Sequence, residues 1–132
     1  MKTLLALILL SVTGIAQADK IIECAPRLVC AQTPGKCVPK GGVNMDEMTE
    51  KGSYIPGNYS LELTKITFLA ASNPQCVYST QGNTIRYVVT DWKNTEPDLE
   101  PPYGHNWHKY DGSHYACSNL QCRFKLVQEN PQ

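Results

Sequence analysis

The chain has 132 residues, carries 12 basic and 12 acidic side chains, and contains six cysteines. Balanced charge argues against nucleic acid, whose binding depends on clustered positive potential, and against a polybasic segment held on an anionic membrane. The length suffices for one domain with one modest core.

Residues 1–18 read as a removable export leader. Lys2 supplies the charged start, Leu4 to Leu10 the apolar stretch, and Ala16-Gln17-Ala18 the small-x-small site, so Asp19 is the expected first mature residue. A membrane anchor needs about 20 mostly apolar residues, and Ser11, Thr13, Gly14 and Gln17 interrupt the run first. A lipoprotein signal would put a small residue before the first cysteine, whereas Glu23 precedes Cys24. The expectation is a secreted or periplasmic protein with no integral membrane segment after cleavage, and a single exported domain over 19–132. The leader fits a bacterial export signal. In a eukaryotic secretory setting, Asn58-Tyr59-Ser60 would be a glycosylation acceptor; otherwise it is an ordinary turn.

Residues 20–24 have the character of a short strand. Residues 25–58 carry Pro34-Gly35, Gly41-Gly42 and Pro56-Gly57-Asn58 and read as loop-rich chain. Cys30 and Cys37 would close a small loop there, and Asn44 to Glu50 would form one helical turn. Ser60 to Ala70 is rich in apolar and β-branched residues. Leu61 and Leu63 share one parity and Ile66 and Phe68 the other, which requires a bulge near Lys65 or cover on both faces. Cys76 to Gln81 and Thr84 to Trp92 flank Gly82-Asn83 and read as a hairpin with glycine at the first central position of a II′ turn. That register opposes Thr80 to Ile85, Tyr78 to Tyr87 and Cys76 to Val89. It puts Cys76, Tyr78, Ile85, Tyr87 and Val89 on one face. Trp92 ends the second strand as a packing residue. Residues 93–114 read as irregular. Gln121 to Val127 alternates as a half-buried strand with Cys122, Phe124 and Leu126 inward, and residues 128–132 are expected to fray. The fold class is mainly β: a small antiparallel sheet or sandwich with long loops, stapled by disulfides.

Cys24, Cys30, Cys37, Cys76, Cys117 and Cys122 all follow the leader. No Cys-x2-Cys spacing of the kind structural zinc sites favour is present, and an exported chain with an even number of cysteines calls for disulfides. A four-residue hairpin loop would oppose Cys117 and Cys122. The expected pairs are Cys117–Cys122, Cys30–Cys37 and Cys24–Cys76.

Ile66-Thr67-Phe68, Cys76-Val77-Tyr78, Trp92, Cys117 and Cys122-Arg123-Phe124 carry a resemblance. Over its C-terminal two-thirds the chain resembles a family of small exported bacterial proteins classed only as a domain of unknown function. Members of that family tend to begin the mature part with Cys-Pro. Here Cys24-Ala25-Pro26 has an inserted alanine, and Cys30 and Cys37 look like an added pair. The resemblance implies a bacterial exported β domain and supplies no activity or catalytic residue.

Chemistry is concentrated in Pro101 to Tyr115, expected to be a surface loop. It holds the chain's three histidines, His105, His108 and His114. Tyr103, His105, Trp107, His108, Tyr110 and Tyr115 form a candidate binding surface, because amphipathic rings bury large area at low entropic cost. The competing expectation is that Trp107 and some tyrosines cover the sheet. A second candidate is a metal site from His105, His108, His114 and Asp111, ligand types that zinc accepts, with an open position able to activate water. No nucleophile elbow or phosphate-binding glycine loop is present. The carboxylates of Asp46 and Glu47, and of Asp98 and Glu100, sit in polar segments and read as solvated. The sequence therefore favours a non-enzymatic binding module for an unknown protein or glycan, with no catalytic residue and no cofactor assigned. A metal-binding protein or metal-dependent hydrolase is the alternative. A secreted inhibitor or effector acting through the Cys30–Cys37 loop is the third class.

Overall fold

The computed structural model describes residues 19–68, 74–80, 82–89, 95–112 and 114–127. The leader, Trp92 and the 128–132 tail lie outside the described residues. The strands are β1 (Lys20–Glu23), β2 (Arg27–Ala31), β3 (Lys36–Lys40), β4 (Thr49–Gly52), β5 (Tyr59–Phe68), β6 (Gln75–Thr80), β7 (Asn83–Val88), β8 (Thr95–Pro97), β9 (Trp107–Asp111), β10 (His114–Cys117) and β11 (Arg123–Leu126), with 3-10 turns at Met45–Glu47 and Gly104–Asn106.

The larger sheet runs β3-β2-β5-β6-β7-β4, and the smaller runs β1-β11-β8. All named pairings are antiparallel. The ten residues of β5 serve two neighbours on one edge: Tyr59 to Glu62 pair with β2, and Thr67 and Phe68 pair with β10, which carries β9. The other edge pairs with β6, and its register slips between Leu63 and Lys65. This bulge lets Leu61, Leu63, Ile66 and Phe68 all turn inward despite their change of parity.

The core lies between the two sheets. Leu28, Leu61, Ile66, Tyr78 and Ile85 of the large sheet and Ile22, Phe124 and Leu126 of the small one are fully or almost fully buried. The Phe124 ring sits 6.4 Å from Phe68 and 5.7 Å from Trp107, joining the sheets by aromatic packing. All three expected disulfides form. Cys24–Cys76 ties the end of β1 to β6, and Cys117–Cys122 ties β10 to the start of β11. Two of the three bridges therefore clamp one sheet onto the other. The third, Cys30–Cys37, joins directly opposed residues of β2 and β3.

Several expectations are corrected. Residues 25–58 contain three strands as well as turns, because Pro34-Gly35 is the tip of a hairpin between two short strands. The helical turn is only Met45–Glu47, and Thr49 already enters β4. In the β6–β7 hairpin, Thr80 opposes Asn83, Tyr78 opposes Ile85 and Cys76 opposes Tyr87. Gly82, at φ 79°, therefore holds the second central position, not the first; its partner in the turn, Gln81, lies outside the described residues. The register differs from the expected one by two residues. Two is the side-chain period of a strand, so Cys76, Tyr78, Ile85, Tyr87 and Val89 are all buried as expected. Cys117 and Cys122 do not face each other across a hairpin: β10 and β11 belong to different sheets, and the disulfide spans the crossing between them.

Tyr78 fixes the strand-to-strand corner after β1. Its fully buried hydroxyl donates to the Ala25 carbonyl at 2.8 Å, and burial pushes its pKa upward, keeping it a donor. Tyr78→Phe should cost about 1–3 kcal/mol in urea unfolding, because the carbonyl is left without a partner. An unchanged unfolding midpoint would refute that role.

Candidate binding surface

The 101–115 segment is more ordered than a surface loop. Glu100 and Tyr103 carbonyls accept from Gly104 and Asn106 amides at 2.9 and 3.0 Å, closing a 3-10 turn that leads into the β9–β10 hairpin. Gly104 is required at this turn, since a β-carbon there would fall 1.9 Å from the Leu99 carbonyl oxygen. Asn106, which the sequence did not single out, is 6% exposed. Its side chain donates to the Gln121 carbonyl at 2.8 Å and accepts from Asn119 at 3.1 Å, pinning the 118–121 crossing to the turn.

Trp107 is a core residue, which corrects its place in the candidate binding surface. It opposes Cys117 at the start of β9 and faces inward. It is 6% exposed, its indole N–H donates to the Arg123 carbonyl at 3.1 Å, and its ring meets Tyr115 edge-on at 6.2 Å. Tyr115 is half-buried between Trp107 and Phe68, whose ring lies 6.3 Å away. Tyr103 lies under the Arg123 guanidinium, 3.7 Å from ring to charge. These three rings form the scaffold's cover.

The histidines do not converge. His105 is exposed on the 3-10 turn, at a corner cleft of about 380 Å³ that it shares with Tyr103, Asn106 and Leu120. His108 lies on β9 opposite Ala116, whereas His114 sits at the far end of the hairpin opposite Asp111. His114 Nδ1 is 3.4 Å from Asp111 Oδ2 and 3.0 Å from its carbonyl. Among the described residues no group of three or more histidine, cysteine, aspartate or glutamate side chains can hold a metal. The metal centre of His105, His108, His114 and Asp111 is not assembled, because strand pairing separates residues that are close in sequence.

Asp98 is also corrected: it is not solvated but 1% exposed. Its Oδ2 accepts from Arg123 Nη2 at 3.0 Å and Nε at 3.2 Å, and its Oδ1 accepts from the Glu100 amide at 3.2 Å. Asp98 N–H donates to the Arg123 carbonyl at 2.9 Å. The alternation of β11 announced Arg123 as outward-facing, but nothing in sequence linked it to a residue 25 positions earlier.

The remaining expected contact residues, His108 and Tyr110, are exposed. Tyr110 is 60% exposed, the largest exposure among the exposed large hydrophobic side chains of the described residues. Its ring lies 5.9 Å from His114 and borders a groove of about 660 Å³ on the outer face of the large sheet. Lys65 and Thr67 of β5, Gln75 and Val77 of β6, and Arg86 of β7 line the rest, with Ala116 of β10. These are the outward positions of strands whose inward positions fill the core. No family model, curated protein or solved structure matches the chain.

Proposed function

We propose that the protein is an exported, disulfide-stapled binding module that acts without catalysis, and that its contact surface is the outer groove of the large sheet. The observation that carries this is the exposed Tyr110 ring standing beside Lys65 and Arg86 over an open groove of about 660 Å³. An aromatic ring flanked by cations and hydrogen-bonding side chains is the composition of a recognition site. Export is supported by the leader pattern and by three disulfides, which persist in oxidising compartments. Among the described residues no helix is long and apolar enough to cross a membrane. The groove is favoured over the inhibitor or effector reading of the β2–β3 hairpin, because Cys30 and Cys37 are buried and staple the scaffold.

The test is to screen the mature protein on glycan and protein arrays beside Tyr110→Ala and Arg86→Gln. Both side chains are exposed, so each variant should keep its stability within about 0.5 kcal/mol. Bound features should weaken by about tenfold or more in both variants. Retention of every bound feature at full strength would remove the groove from the function.

A further inference from the structure

The chain is formally neutral, yet its charge is sorted by sheet. Arg27, Lys36, Lys40, Lys51, Lys65 and Arg86 all occupy exposed positions of the large sheet. They make up six of the chain's 12 lysines and arginines. Direct cross-strand partners share a face, so the register places them together: Arg27 opposes Lys40, Lys65 opposes Val77, Val77 opposes Arg86, and Arg86 opposes Lys51. Among the described residues the large sheet's strands carry three carboxylates: Glu62, opposite Arg27, Glu50, which accepts from the Tyr87 hydroxyl, and Asp111, opposite His114 at the end of β9. Among the described residues none of the six cations has a carboxylate within salt-bridge distance. The ion-paired cations Lys20, Arg123 and Lys125 belong instead to the small sheet, held by Glu47, Asp98 and Glu100.

Two of the opposed pairs, Arg27 with Lys40 and Lys51 with Arg86, carry like charge, which destabilises a sheet. Lysines on β3 and β4 have a structural use, since they block edge-to-edge pairing at the two ends of the large sheet. That use does not extend to Arg27, Lys65 and Arg86, which lie on interior strands. Arg27 faces Glu62, but among the described residues Lys65 and Arg86 flank Val77 with no carboxylate opposite them, a positive charge that an anionic partner would offset.

Resting on the groove reading above, we infer that the partner is a linear acidic polysaccharide, one carrying carboxylate or sulfate groups along its chain. In a sheet whose strands lie about 4.8 Å apart, Arg86 and Lys51 sit on neighbouring strands and Lys65 sits two strands from Arg86, with Val77 between, a row of positive charge suited to anions repeated along a polymer. Thr67 and Gln75 line the same groove and can exchange hydrogen bonds with sugar hydroxyls. Single-stranded nucleic acid is disfavoured because, among the described residues, Tyr110 is the one aromatic side chain lining the groove, and strand binding depends on several stacked bases. A flat anionic membrane does not follow a groove.

The test titrates the mature protein, disulfides intact, with polygalacturonate and dextran sulfate, and in parallel with uncharged dextran, oligothymidylate and phosphatidylglycerol vesicles. Both acidic polysaccharides should bind, and binding should weaken with added salt. Lys65→Gln/Arg86→Gln should weaken it by about tenfold or more, as expected when two charge-assisted contacts are lost, at a melting temperature that is unchanged or raised by relief of the Lys51–Arg86 repulsion. Lys20→Gln, on the other sheet, should leave it intact. Uncharged dextran binding equally well would overturn the acidic ligand and leave the groove standing. Tighter binding of oligothymidylate or vesicles would overturn the polysaccharide and leave the charged face standing. Failure of both acidic polysaccharides to bind would overturn the ligand class, with the groove then judged by its array screen. Full binding by Lys65→Gln/Arg86→Gln would overturn ligand and groove together.

Discussion

Removing the Cys24–Cys76 bridge by paired serine substitution is expected to cost about 4 kcal/mol, roughly twice the cost of removing Cys117–Cys122 or Cys30–Cys37. The difference comes from loop length. The first bridge closes 52 residues, the other two only 5 and 7, and the entropy withheld from the unfolded chain grows with the logarithm of the loop. Its position adds to the effect. Cys76 is fully buried near the start of β6, and Cys24 leads from β1 into the buried Ala25, so the bridge anchors the small sheet where hydrophobic contact and the Tyr78–Ala25 hydrogen bond must otherwise hold it. A domain of this size is stable by about 5–15 kcal/mol, so reduction of all three bridges should unfold it under native conditions. Circular dichroism melts with and without reductant decide the point: an unchanged melting temperature would mean that packing alone carries the fold.

What was legible in the sequence follows the physics of each element. The inward face of the β6–β7 hairpin was readable because alternation is strict there, and it survived a register error because the error was even. In β5 the change of parity between Leu61 with Leu63 and Ile66 with Phe68 was readable as a bulge or as cover on both faces, and the register slip between Leu63 and Lys65 decides for the bulge. Short strands among prolines and glycines were not readable: β2 and β3 have five residues each, too few for periodicity to outweigh turn chemistry. The site was less legible than the fold. A cluster of histidines and rings in 101–115 drew attention by composition, but pairing sent Trp107 inward, Tyr110 outward and the histidines apart. The groove takes Lys65, Gln75 and Arg86 from three different strands, none remarkable in its own segment. Charge balance over the whole chain likewise concealed a sorted surface, because a net charge records the sum of positions and not their arrangement. Neutrality of the whole chain therefore leaves open how charge is placed on one sheet.

Arg123→Met is expected to cost about 3–5 kcal/mol, the penalty for leaving a buried carboxylate without its partner. Asp98 is 1% exposed and receives both Arg123 contacts on one oxygen, so water cannot take over the lost interaction without opening the fold. Methionine keeps the length of the arginine stem but not the guanidinium that lies over Tyr103, so the cation–π contact is lost together with the ion pair. The companion Asp98→Leu/Arg123→Met should recover most of the loss, since a buried ion pair replaced by apolar groups of similar size is often neutral. A urea-unfolding double-mutant cycle measures this; a cost below about 1 kcal/mol for Arg123→Met would place the pair among the weak exposed bridges. The consequence reaches the proposed surface. Arg123 holds Asp98 and Tyr103 by its side chain and Trp107 by its carbonyl, and Trp107 begins the strand that presents His108 and Tyr110. Arg123→Met should therefore weaken ligand capture at temperatures below its own melting transition, although Arg123 does not line the groove.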